Sequence, residues 1–222
     1  RSCRYAPSED FMTPAQVDRF INESVDHKRK WKQIWIEGGE PTLHPDLDVI
    51  LDILTAYREN HNPLVKIQIN SNGFGEDTIR RLKRYGKRVK IYSSEKTGPE
   101  VKDFCAFNLA PRDFAVFKDV DFSSGCYFPS FYGLSLNMNG YYYCSNAGGI
   151  DRVVGLDIGF KKLPSITDKW WKMQMSELCS YCGHFQVNNR HHLKVSFPEI
   201  NYLISESWHK VYERFNSTKV SL

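Results

Sequence analysis

No apolar run in this chain approaches the ~20 residues that cross a bilayer as a helix, so no membrane span is expected. No basic-then-apolar leader opens it either, and the first residue is Arg1. Internal repeats and low-complexity tracts are absent, which excludes solenoids and collagen-like chains. Charge of neither sign dominates: 30 Lys and Arg against 26 Asp and Glu leave a formal +4. That balance permits an anionic substrate without demanding nucleic acid. The densest basic run, Arg80 to Lys90, reads as the solvated face and last turn of a helix, where cations suit the dipole. No catalytic triad is visible. His191, His192 and His209 have no partner spacing that argues for metal. Cysteines are few: Cys3, Cys105, Cys126, Cys144, Cys179 and Cys182. In a chain of 222 residues with a Cys-x-x-Cys, a metal site in a reducing, cytoplasmic compartment fits better than a disulfide framework.

What is present is ordinary globular material, 41% hydrophobic and 25% charged, enough for one large domain or one domain with an appendage. Thr13-Pro14-Ala15-Gln16 reads as a helix start, with Val17, Phe20, Ile21 and Val25 on one face. A strand over Lys32–Ile36 runs into Gly38-Gly39. His44-Pro45 opens a second helix that buries Leu47, Ile50, Leu51 and Leu54. Strands follow at Val65–Ile69, Val89–Tyr92 and Asp103–Leu109, with a helix at Thr78–Tyr85. Strand and helix alternate to about position 110, the rhythm of a parallel α/β sheet. Ligands gather at the C-terminal ends of such strands. Here that edge carries Glu37 to Glu40, Asn70, Ser71, Asn72, Ser93, Ser94 and Asn108, and its polarity points to a bound ligand. Beyond 110 the rhythm stops. Leu134–Ser145 reads as a hairpin turning at Asn139-Gly140, Ile166–Leu178 as a helix and Ile204–Phe215 as a closing helix.

The stretch Ile34–Asp46, IWIEGGEPTLHPD, with a cysteine upstream, resembles the radical S-adenosylmethionine (radical SAM) superfamily. Glycines let a ligand approach the backbone, and a carboxylate pairs well with an ammonium. The resemblance implies that Gly38, Gly39, Glu40 and Pro41 form the SAM-binding motif, with Glu40 on the methionine ammonium. Asn70, Ser71, Asn72, Ser93 and Ser94 become candidates for the ribose or carboxylate. The family's three-cysteine signature is represented by Cys3 alone, so two further cysteines are expected upstream of Arg1. Cys3 then ligates a SAM-binding [4Fe–4S] cluster.

Cys126, Cys144, Cys179 and Cys182 form a second group: two well-spaced pairs that can close on one cluster or one Zn²⁺. They resemble the twitch domain, or the first half of the longer SPASM extension, appended to some radical SAM enzymes. No cysteine follows Cys182, so one auxiliary [4Fe–4S] cluster is implied. Cys105 stands alone; its ordinary reading is a buried core thiol, and a hydrogen-atom-donor role is the alternative. Tyr141-Tyr142-Tyr143 reads as hairpin packing rather than a radical relay.

The expected architecture is a partial (β/α)6 barrel over residues 1–115 and a small auxiliary-cluster domain, hairpin plus helix, over 116–222. The resemblance implies a 5′-deoxyadenosyl radical that abstracts hydrogen from a C–H bond, in a two-electron oxidation of a sugar- or cyclitol-like alcohol. It also implies an electron donor such as flavodoxin or ferredoxin. A peptide-modifying maturase is the near alternative, and a non-catalytic zinc-binding or interaction module the alternative from another class.

Overall fold

Thr13 starts the first helix. Its side chain accepts the Gln16 amide, while Gln16 Oε1 accepts the Thr13 amide at 2.9 Å. This reciprocal cap, with Pro14 in the first turn, fixes α1 (Pro14–Asp26). The structure is a computed structural model and describes residues 10–94, 96–98, 108–165, 169–185 and 204–219. They fall into two units, one up to residue 98 and one from residue 108.

In the first unit α1 buries Val17 and Ile21, and Phe20 and Val25 pack beside them as the periodicity predicts. There follow β1 (Gln33–Ile36), α2 (Leu47–Asn60), β2 (Lys66–Ser71), α3 (Glu76–Tyr85) and β3 (Lys90–Ser93). The strands make one parallel sheet in the order β1-β2-β3, with Ile34 beside Ile67 and Ile69 between Ile36 and Ile91. Leu47, Ile50, Leu51 and Leu54 of α2 are all buried in its core, each worth about 1.5–3 kcal/mol. Because the strands run the same way, their C-terminal ends meet at one edge. The α/β class with a parallel sheet is as expected. Among the described residues three parallel strands are present, rather than the set of a (β/α)6 barrel.

Two boundaries differ from expectation for physical reasons. His44-Pro45 does not open α2. A 3₁₀ turn over Pro41–Leu43 comes first, and His44 is used as a staple, its Nε2 on Met12 O at 2.8 Å and its Nδ1 accepting the Asp46 amide. β2 runs on through Asn70 and Ser71, because β3 offers Tyr92 and Ser93 as partners.

The second unit holds α4 (Phe128–Tyr132), the hairpin β4 (Ser135–Asn137) and β5 (Gly140–Tyr142), then α5 (Ser145–Val154), α6 (Trp170–Cys179) and α7 (Glu206–Lys219). The hairpin turn is Met138-Asn139, one residue earlier than expected, since Asn137 pairs with Gly140. Gly140 is required for a different reason. Its φ is +129°, and a Cβ there would lie 2.3 Å from the Phe160 carbonyl oxygen. That contact belongs to a bridge in which Tyr141 and Phe160 exchange N–H···O bonds of 2.8 and 3.1 Å. Gly140→Ala is therefore expected to cost about 2–4 kcal/mol in urea unfolding, from backbone strain plus overpacking. Gly133→Ala, with open space at its Cβ, should cost only the strain.

Helix α5 was hidden by Gly148-Gly149, a pair that disfavours helix. Gly148 is there because a Cβ would sit 2.1 Å from Asn137 Nδ2. Residues 108–115, grouped by sequence with the barrel, pack in the second unit: Ser205 Oγ accepts the Ala110 amide and Asp113 accepts the Ser207 amide, both at 2.9 Å. Asn108 goes with them, its carbonyl accepting the Ser205 amide, so it does not extend the strand edge. Of the expected strand at 103–109 and helix from 166, residues 103–107 and 166–168 lie outside the described residues. Among those described, no helix is long and apolar enough to cross a membrane.

Candidate functional site

The loop after β1 is folded around Glu40. Its carboxylate is buried, at 9% exposure. Oε1 accepts the Thr42 amide at 3.0 Å and the Thr42 hydroxyl at 2.8 Å; Oε2 accepts the Asn72 amide at 2.8 Å. The Ser71 hydroxyl straddles both oxygens at 3.0 and 2.9 Å. A carboxylate offers about four lone-pair sites, and these donors fill them. Glu40, expected to hold an ammonium, here acts as a latch tying the β1 loop to the end of β2. Pro41 begins the 3₁₀ turn, and Arg81 of α3 braces it by donating to the carbonyls of Thr42 and His44. Thr78 adds a hydroxyl contact to Thr42 at 3.1 Å.

Other groups on this edge remain available. Glu37 is exposed; Oε1 accepts from Asn70 Nδ2, and among the described residues no donor bonds Oε2. Asn72 Oδ1 accepts the Phe74 amide at 2.7 Å, and among the described residues its Nδ2 has no partner. Gly38 has φ +157°, and a Cβ there would meet nothing within 4 Å, so the space over the backbone is open. Ser94 bonds back to the Ser71 carbonyl through its amide at 3.0 Å. Ser93 lines a hollow of about 410 Å³ with Gly73, Ile79, Leu82, Lys83 and Ile91. The edge therefore brings together Gly38, Glu40, Asn70, Ser71, Asn72, Ser93 and Ser94, as strand direction requires. Cys3 and Cys105 lie outside the described residues.

A polar strand edge built on Gly-Gly-Glu-Pro is the feature against which a family comparison decides. Residues 3–101 match the model of the Radical SAM superfamily. Over that stretch the first unit is similar to a radical SAM domain. Such a domain implies SAM, a [4Fe–4S] cluster and an enzyme of radical or redox type. Comparison with curated proteins and with solved structures found no match.

Beyond the matched residues, the second unit gathers its four cysteines, none of them in a disulfide. Cys144, Cys179 and Cys182 are buried at 4%, 2% and 7% exposure, and Cys126 is partly exposed. Cys144 follows β5 and caps the N-terminus of α5. Cys179 ends α6, and the turn after it places Cys182, whose amide donates to the Cys179 carbonyl at 3.1 Å. Gly125 brings the Cys126 segment against α6, since even a Cβ there would touch Met175 Sδ at 2.9 Å. Burial pushes the Cys144 thiol up to about 12, with Cys182 and then Cys126 adding to the rise; the amides of Ala147 and Asn146 oppose it. Burial likewise raises Cys179 well above an ordinary thiol. The Tyr143 hydroxyl opposes that rise, and Cys182, Cys144 and Cys126 add to it. Cys144 and Cys179 are thus each within electrostatic reach of the other three sulfurs.

Among the described residues no group of three or more His, Cys, Asp or Glu side chains stands ready to hold a single metal ion. One tetrahedral Zn²⁺ needs sulfurs roughly 3.8 Å apart, from Zn–S bonds near 2.3 Å. A four-iron cluster puts each thiolate on its own iron and takes a wider set. The donors, four soft thiols of which three are buried, fit a cluster in chemistry.

Sequence reasoning missed Thr42, Thr78 and Arg81 at the strand edge, and Gln174 and the specific role of Tyr143 at the thiols. Thr42 sat in the quoted motif, and its spacing of two from Glu40 was the available signal. Nothing in the sequence marks Gln174, a residue with no exposed surface. It accepts the Tyr143 amide and donates to the carbonyls of Tyr141 and Ile158.

Proposed function

We propose that the chain is a radical SAM oxidoreductase that removes two electrons from a secondary alcohol on a small sugar- or cyclitol-like substrate. The observation that carries this reading is the open, polar strand edge inside the matched domain. When bound, SAM and its cluster supply a 5′-deoxyadenosyl radical that takes one hydrogen atom from a substrate C–H bond. Cys3 would be one ligand of that cluster. At the edge, Glu37 Oε2 is the unoccupied carboxylate oxygen for the SAM ammonium, Gly38 leaves room for its approach, and Asn72 Nδ2 is a ready donor for a carboxylate or ribose oxygen. Glu40 keeps these groups in place. Removing a hydrogen atom leaves one more electron and a proton to be lost before a ketone forms. Cys126, Cys144, Cys179 and Cys182 would hold a second [4Fe–4S] cluster able to accept the electron, and the proton goes to solvent. A flavodoxin or ferredoxin would supply the reducing electron for SAM.

Anaerobic reconstitution of the full-length protein with iron and sulfide, followed by SAM and dithionite, is expected to yield 5′-deoxyadenosine. The Cys3→Ala protein should yield none. Equal 5′-deoxyadenosine from both proteins would sink the assignment of Cys3. Zinc in place of iron throughout the protein would favour a non-catalytic binding module instead.

A further inference from the structure

The tyrosine run at the end of the hairpin holds a residue aimed at the thiols. Tyr143 is buried at 5% exposure, and its hydroxyl lies 2.9 Å from Cys179 Sγ. With a free thiol either atom could donate. Once Cys179 is a metal thiolate its sulfur has no proton, so Tyr143 must be the donor. Gln174, also from α6, holds the Tyr143 amide at 3.2 Å, while its own two N–H donors go to Tyr141 O at 3.1 Å and Ile158 O at 2.8 Å. The tyrosine is thereby braced from the helix that carries the sulfur it faces.

We propose that Tyr143 is a positioning residue that sets the electron-accepting strength of the cluster at Cys126, Cys144, Cys179 and Cys182. The inference rests on the cluster reading above. A hydrogen bond into a ligating sulfur draws off thiolate charge and favours the reduced, more negative cluster. Its removal therefore lowers the reduction potential without removing a ligand. One electron enters on reduction and no proton moves, because the hydroxyl keeps its hydrogen.

The test uses full-length protein with Cys3→Ala, so that only the second cluster is seen, and compares it with the same protein carrying Tyr143→Phe. Phenylalanine keeps the ring and deletes only the donor. Iron and sulfide should be equal in both. At a fixed solution potential the ratio of reduced to oxidised cluster, read by EPR, should fall about tenfold in Tyr143→Phe, or about 59 mV for one electron. Equal potentials at equal iron overturn the proposal and leave the cluster reading intact. Loss of iron from Tyr143→Phe makes the hydroxyl structural and also overturns it. Zinc, or no iron, in the Cys3→Ala protein removes the cluster reading and this inference with it.

Discussion

Full-length protein with Cys179 and Cys182 both changed to alanine is expected to reconstitute with about half the iron of the unaltered chain, one four-iron cluster instead of two. Two of four ligands are lost, and the remaining pair, Cys126 and Cys144, leaves half the irons without a protein thiolate. The loss should extend to structure. Cys179 and Cys182 lie on either side of a turn whose Tyr181 carbonyl receives Trp208 Nε1 at 2.9 Å, so α7 is docked on the same corner. Trp208 has no exposed surface. Near-UV circular dichroism and limited proteolysis of residues 120–185 should show loosening. SAM cleavage to 5′-deoxyadenosine depends on the first cluster and should continue, while oxidised product should disappear. Undiminished product with half the iron would reduce the second cluster to scaffolding, and unchanged iron would remove these cysteines from the ligand set.

Glu40→Ala is expected to destabilise the first unit by about 3–6 kcal/mol, measured by urea unfolding. The Thr42 and Asn72 amides and the Thr42 and Ser71 hydroxyls all lose a charged acceptor, at about 1–3 kcal/mol for each donor left without water or partner. Glu40→Gln should not restore the fold fully, because its NH₂ group faces amides and hydroxyls that also donate. Glu37→Gln is the contrasting variant. At an exposed side chain it should leave stability within about 0.5 kcal/mol but weaken SAM binding by about 1–3 kcal/mol, the scale of a charge-assisted hydrogen bond. The reverse pattern, a stable Glu40→Ala that cannot bind SAM, would return the ammonium to Glu40.

The contrast between the two carboxylates shows what a sequence can and cannot express. Gly-Gly-Glu-Pro after an apolar strand locates the strand edge, because strand direction and glycine sterics act locally. Which acid faces outward depends on Ser71 and Asn72, 31 and 32 residues away, and no local pattern encodes that distance. Helices α1 and α2 were legible for the same local reasons: the Thr13–Gln16 cap and apolar residues on one face. Helix α5 was not. Its Gly148 answers to Asn137 across the hairpin, and tertiary crowding there outweighs propensity. At the thiols, composition and spacing singled out the four cysteines, whereas Gln174 acts only through burial, which polarity hides.

The brace between β5 and α6 also bears on biosynthesis. Cys126 and Cys144 leave the ribosome before Gln174, Cys179 and Cys182 exist, and the 38 residues from Cys144 to Cys182 take roughly 2–8 s at translation speeds. Through that interval the hairpin has no α6 to hold Tyr143, and two nascent thiols stand open to oxidants and stray ions. On the proposed cluster reading, delivery of iron and sulfide to these thiols is confined to a moment after α6 has docked. Oxygen tension during expression should govern how much protein is correctly matured.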